Sequence, residues 1–74
     1  MKGQKIAEAR GFLNGTERRF VAYKDGGRFL VREDARFERR WENCSFVYLE
    51  SAQDAIRDIL TGVQYLTGAI FRIF

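Results

Sequence analysis

The sequence predicts a small α+β fold, an antiparallel β-sheet packed on one amphipathic helix, and three observations predict it. Asn14-Gly15 and Asp25-Gly26-Gly27 are two close-set turn signals, each flanked by apolar and aromatic residues. Such turns join neighbouring strands, because Asn and Gly accept the positive φ that tight hairpins need. The third is a helical stripe after Ser51: Ala52, Ala55, Ile56, Ile59, Leu60 and Val63 recur at the spacing that puts side chains on one helix face. The 74 residues allow one domain, spanning 1–74.

The two turns define an N-terminal three-stranded meander of about 5–13, 16–24 and 28–33. Residues 2–10 have helical propensity in their Ala, Glu and Lys, but the Asn-Gly turn needs a partner strand, so a strand is expected there. Position i is expected opposite 29 − i across the first turn and j opposite 51 − j across the second. Alternation then collects Ala7, Ala9, Phe20, Ala22, Phe29 and Val31 on one face, the expected core. It collects Ile6, Arg10, Phe12, Arg19, Val21, Tyr23, Arg28, Leu30 and Arg32, with Glu8 and Glu17, on the other.

Ser51 is the expected N-cap, with Asp54 three residues on, as in a capping box. Gly62 is expected to stop the helix from the C′ position. One or two further strands complete the sheet: Phe46 to Leu49 leads into the helix, and Ala69 to Phe74 follows Gly68. Residues 34–41 read as a fourth strand or an irregular segment, with Phe37, Arg39 and Trp41 on one side. A helix capped by Asp34, pairing Phe37 with Trp41, is the alternative.

Composition narrows the chemistry. With no His, the commonest general base and metal ligand is missing. A single Cys, Cys44, excludes an intramolecular disulfide, a redox pair and a multi-thiolate metal site. Without an activating His it reads as a small buried hydrophobe. Glu33 and Asp34 are adjacent and so should face opposite ways in a strand. No phosphate-cradling loop or calcium-binding spacing occurs. The expectation is a protein that is not an enzyme and uses no cofactor and no metal.

Charge points to binding. Net charge is +3, but residues 1–41 hold eleven Lys or Arg against six Asp or Glu, whereas residues 42–74 are net acidic. Ten of the thirteen basic residues are Arg, which suits bidentate phosphate contacts and stacking. The expected site is Arg10, Phe12, Arg19, Tyr23, Arg28 and Arg32, extended by Arg36, Arg39, Arg40 and Trp41. Small sheets with basic and aromatic side chains on an open face bind single strands by stacking bases and tracking phosphates. Arg10 opposite Arg19 is a destabilising like-charge pair unless an anion sits there. The competing structural reading has the apolar residues of this face packed against 34–48 or another subunit, with the arginine stems laid over them.

The expected partner is a nucleic acid or a nucleoprotein complex. The alternative is a protein target. In size and layout the chain resembles small proteins of phages and other mobile elements, anti-CRISPR inhibitors among them, which occlude a partner surface. No residue string carries that resemblance. It implies an inhibitor or adaptor that, being basic, would grip an acidic protein face or the bound nucleic acid itself.

A homodimer is expected through the apolar C-terminal strand, with Ile70, Phe71, Ile73 and Phe74 as contacts. A core this small gains from a second subunit. No run is long enough to span a bilayer, the N-terminus lacks the apolar stretch of a secretory leader, and the lone thiol suits a reducing interior. A complete cytoplasmic chain starting at Met1, with no membrane partner, is the expectation.

Overall fold

The computed structural model describes residues 3–74; Met1 and Lys2, the start of the segment read for a leader, lie outside the described residues. Four ten-residue strands follow one another as hairpins: β1 (Gln4–Leu13), β2 (Thr16–Asp25), β3 (Arg28–Phe37) and β4 (Arg40–Leu49). The helix α1 (Ala52–Val63) and a last strand, β5 (Thr67–Ile73), complete the chain. The antiparallel sheet has the order β4-β3-β2-β1-β5.

Turn chemistry sets the hairpins. Asn14 and Gly15 both have positive φ (51° and 80°), the type I′ pattern. Gly26 has φ 64°, as a type II′ turn requires at its first central position. The third turn is Glu38-Arg39, with Glu38 at φ 58°. A left-handed non-glycine residue costs about 1–2 kcal/mol, so nothing in the residue types announces this turn. Residues 34–41 are therefore the end of β3, a tight turn and the start of β4. The expectation of Phe37, Arg39 and Trp41 on one side of a single strand is corrected.

The first register is as expected, with Arg10 opposite Arg19 and Ala9 opposite Phe20. The second differs by two residues: Ala22 faces Val31, not Phe29, because a two-residue turn at Gly26-Gly27 closes directly on Asp25 and Arg28. An even shift preserves the faces. Three irregularities do not. Ile6 is an extra residue between Lys5 and Ala7, and it turns to the core side instead of joining the arginine face. Cys44 is an extra residue between Asn43 and Ser45, opposite Glu33 and Asp34. Gly68 and Ala69 together stand opposite Gly11.

The core lies between the sheet and α1. Ala7, Ala9, Phe20, Ala22, Val31, Ala55 and Ile59 are buried, and Phe29, Leu49, Ile56, Val63, Leu66 and Phe71 pack against them. Burying a side chain such as Ile59 contributes about 1.5–3 kcal/mol. The alanines of β1 and β2 keep that part of the sheet flat enough for the helix to lie close.

Ser51 caps α1 as expected, its hydroxyl accepting from the Asp54 N–H at 3.1 Å. Gly62 does not stop the helix; the C-cap is Gln64. A Cβ on Gly62 would lie 2.6 Å from Cζ of Phe20. The glycine is there to admit the Phe20 ring. Leu60, assigned to the apolar stripe, is 45% exposed. Cys44 is exposed, not buried, because its bulge on an edge strand points no face of it into the core.

Candidate binding face

The helix covers one side of the sheet only. Alternation sends Arg10, Phe12, Glu17, Arg19, Val21, Tyr23, Arg28, Leu30, Arg32, Asp34 and Arg36 to the other side; all but Asp34 are expected there, Arg36 as an extension beyond the meander. β4 adds Trp41, Asn43, Phe46 and Tyr48, and β5 adds Ile70 and Arg72.

At its centre, one rung of the sheet reads Ile70, Arg10, Arg19, Asp34 and Asn43. Asp34 is only 4% exposed. It accepts from Arg19 Nη2 at 3.0 Å, Asn43 Nδ2 at 3.1 Å and Arg32 Nη2 at 3.4 Å. Burial alone would raise its pKa, but the Asn43 and Arg19 hydrogen bonds and the Arg32 and Arg19 charges outweigh it, holding the carboxyl below the ordinary aspartate value. Glu8 is likewise lowered: burial works upward, and hydrogen bonds and charge from Lys5 and Arg10 prevail. Arg36 pairs with Glu17 at 3.4 Å.

Trp41 lies over this cluster. Its ring centroid is 4.1 Å from the Arg19 guanidinium, 5.5 Å from Arg10 and 6.0 Å from Arg36. Cation–π attraction of this kind contributes about 0.5–2 kcal/mol. The Arg10–Arg19 pair thus has a structural account: Glu8 holds one, Asp34 the other, and Trp41 covers both. Val21, only 2% exposed, lies beneath this layer between Glu8 and Arg32.

The periphery differs. Among the described residues, Arg28 and Arg72 form no ion pair with a carboxylate. Arg28 stacks on Tyr48 at 4.2 Å, and Arg72 on Phe74 at 5.1 Å. Phe46 meets Tyr48 edge-to-face at 6.1 Å. Leu30, Arg32, Asn43, Phe46 and Tyr48 line a shallow hollow of about 300 Å³. Phe12, Phe46 and Ile70 are 49%, 63% and 69% exposed.

The expected residues therefore divide. Arg10, Arg19, Arg32 and Arg36 are brought together with Trp41 and are matched by acids. Arg28 shares the face and is not. Phe12 and Tyr23 are on it. Arg39 sits in the β3–β4 turn, and Arg40, opposite Phe37 and paired with Glu42 at 3.6 Å, lies on the helix side. Of the C-terminal residues, Phe71 packs against the core, Ile70 faces the arginines, and Ile73 and Phe74 are exposed on the β5 edge.

Asp34, Asn43, Phe46, Tyr48 and Arg72 were not in the expected site. Recognising Glu38-Arg39 as a turn brings Asn43 to this face beside Trp41; Phe46 and Tyr48 join it only through the extra residue at Cys44, which reverses the parity of the strand beyond it. Glu33, as expected, faces away from Asp34 and pairs with Arg18 at 2.6 Å. The depressed carboxyls are weak bases engaged as ion-pair acceptors, so this face can stack, donate hydrogen bonds and attract anions. Among the described residues, no group of three Cys, Asp or Glu could hold a metal ion, and no helix is long and apolar enough to cross a membrane.

Comparison with protein-family models, curated proteins and solved structures finds no match to this chain.

Proposed function

We propose that this chain is a non-enzymatic binding protein that engages a nucleic acid or nucleoprotein complex through the sheet face opposite the helix, in a reducing, cytoplasmic setting. The observation that carries the reading is the chemistry of that face. Among the described residues, two arginines without acidic partners, Arg28 and Arg72, stack on aromatic side chains of a sheet face that no described element covers. Exposed rings stack on bases and guanidiniums contact phosphates, the combination by which open sheets hold single strands. The central arginines play a different part from the one their number suggested. Tied to Glu8, Glu17 and Asp34, they stiffen the platform, and the peripheral ones contact the ligand.

The test is fluorescence anisotropy with labelled single- and double-stranded oligonucleotides at low and physiological salt. Binding should fall steeply with ionic strength, with a log–log slope of about −0.7 per phosphate contacted on a single strand. Arg28→Glu should weaken binding at least tenfold, as loss of a charge-assisted contact implies, with unchanged far-UV circular dichroism. Absence of binding at low salt, or an unchanged affinity in both Arg28→Glu and Arg72→Glu, overturns the proposal.

A second reading draws on the acid matching of the central arginines, which lowers the field of the face, and on exposed Phe12, Phe46 and Ile70. It is an inhibitor or adaptor that occludes a protein surface. Its contact would be nearly indifferent to salt, and a pull-down at high ionic strength distinguishes it.

A further inference from the structure

We propose that the chain self-associates through the outer edge of β4, two copies meeting antiparallel about Val47 so that their five-stranded sheets become one. β4 is an edge strand, paired with β3 on one side only. An edge presents a row of backbone donors and acceptors that a further strand can satisfy, and proteins usually guard it with bulges, charges or proline. The first half of β4 is guarded: Cys44 is bulged, and the Asn43 amide donates to the Ser45 carbonyl at 3.0 Å. The second half, Phe46-Val47-Tyr48-Leu49, has none of these devices. It carries no charge and no register slip, and Phe46, Val47 and Tyr48 are 63%, 40% and 38% exposed.

This segment is complementary to itself. Pairing about Val47 sets each Phe46 against the Tyr48 of the other copy, giving two aromatic cross-strand pairs, and Val47 against Val47. It also preserves the faces: Ser45, Val47 and Leu49 stay on the helix side, Phe46 and Tyr48 on the open side. The pairing leaves charge out of the contact itself: Glu50 of each copy falls opposite the bulged Cys44 of the other, beyond the uncharged segment. The opposite edge, β5, by contrast carries a charge within the strand, Arg72. An isologous contact of this kind closes as a dimer. The aromatic strips of the two open faces would then run together across the two-fold axis.

Sedimentation equilibrium tests it. The wild-type chain should have twice the 8.7 kDa chain mass. Val47→Lys, which sets two like charges opposite each other, should halve the observed mass. In a Cys44→Ser background, Val47→Cys should cross-link on oxidation, since directly opposed strand residues fall within disulfide reach. Ile70→Cys should not. The cross-link reads the interface even if Val47→Lys fails to fold. A wild-type monomer up to the solubility limit, a folded Val47→Lys dimer, or cross-linking through Ile70→Cys in place of Val47→Cys overturns the proposal.

Discussion

Asp34 is the residue on which the open face depends. Three donors from three different strands converge on one nearly buried carboxylate. Removing one partner of such a group leaves charges unmatched, which costs about 3–5 kcal/mol when all are buried. Here the guanidiniums keep some water contact, with Arg19 and Arg32 side chains 23% and 31% exposed. Asp34→Asn should therefore destabilise the fold by about 2 kcal/mol at pH 7, measured by urea denaturation. The pH dependence has a defined sign. Because the folded-state pKa is depressed, the stabilisation is complete above the unfolded aspartate value of about 3.9 and disappears as pH falls through the lower folded value. The gap between wild type and Asp34→Asn should close over that acidic window and stay constant from pH 5 to 7.

At the scale of elements, the contact between α1 and β2 has the least slack. Phe20 is 8% exposed, and its ring occupies the space where a Gly62 side chain would be. Alanine gains about 1 kcal/mol over glycine from helix propensity. Overpacking a buried ring costs about 1–3 kcal/mol. Gly62→Ala should therefore lower the thermal midpoint even though it improves the helix in isolation. A raised midpoint would mean that Phe20 has room to move. Ser51→Ala, which removes the cap at the other end, should cost about 1 kcal/mol. Together these variants separate what holds the helix as a helix from what holds it on the sheet.

For the whole molecule, the division of labour between the two faces makes a prediction about cooperativity. The helix side is an apolar core; the open side is a layer of ion pairs under Trp41, the chain's only tryptophan. Both are built on the same strands, and every neighbouring pair of strands is hydrogen-bonded across the sheet. Neither layer can open without the other losing its scaffold. Thermal unfolding followed by Trp41 fluorescence and by far-UV circular dichroism should give coincident transitions. An earlier fluorescence transition would mark the arginine layer as a separate unit.

Much of this architecture was legible because short-range chemistry encodes it. Asn14-Gly15 and Gly26-Gly27 need particular backbone angles, Ser51 has a hydroxyl where a helix start needs an acceptor, and side-chain alternation divides the meander into two faces whatever the exact register. These are constraints between neighbours. The Glu38-Arg39 turn escaped because Glu38 adopts a left-handed φ that its type does not favour. With it went the placement of Trp41 and Asn43, whereas that of Phe46 and Tyr48 depends on the Cys44 bulge as well. The bulges at Ile6 and Cys44 escaped because an extra residue has no signature until a partner strand is present to be out of step with. The basic face itself followed from strand parity alone. Which arginines it ties up and which it leaves available is a matter of distances between residues up to three strands apart, and only the tertiary structure decides that.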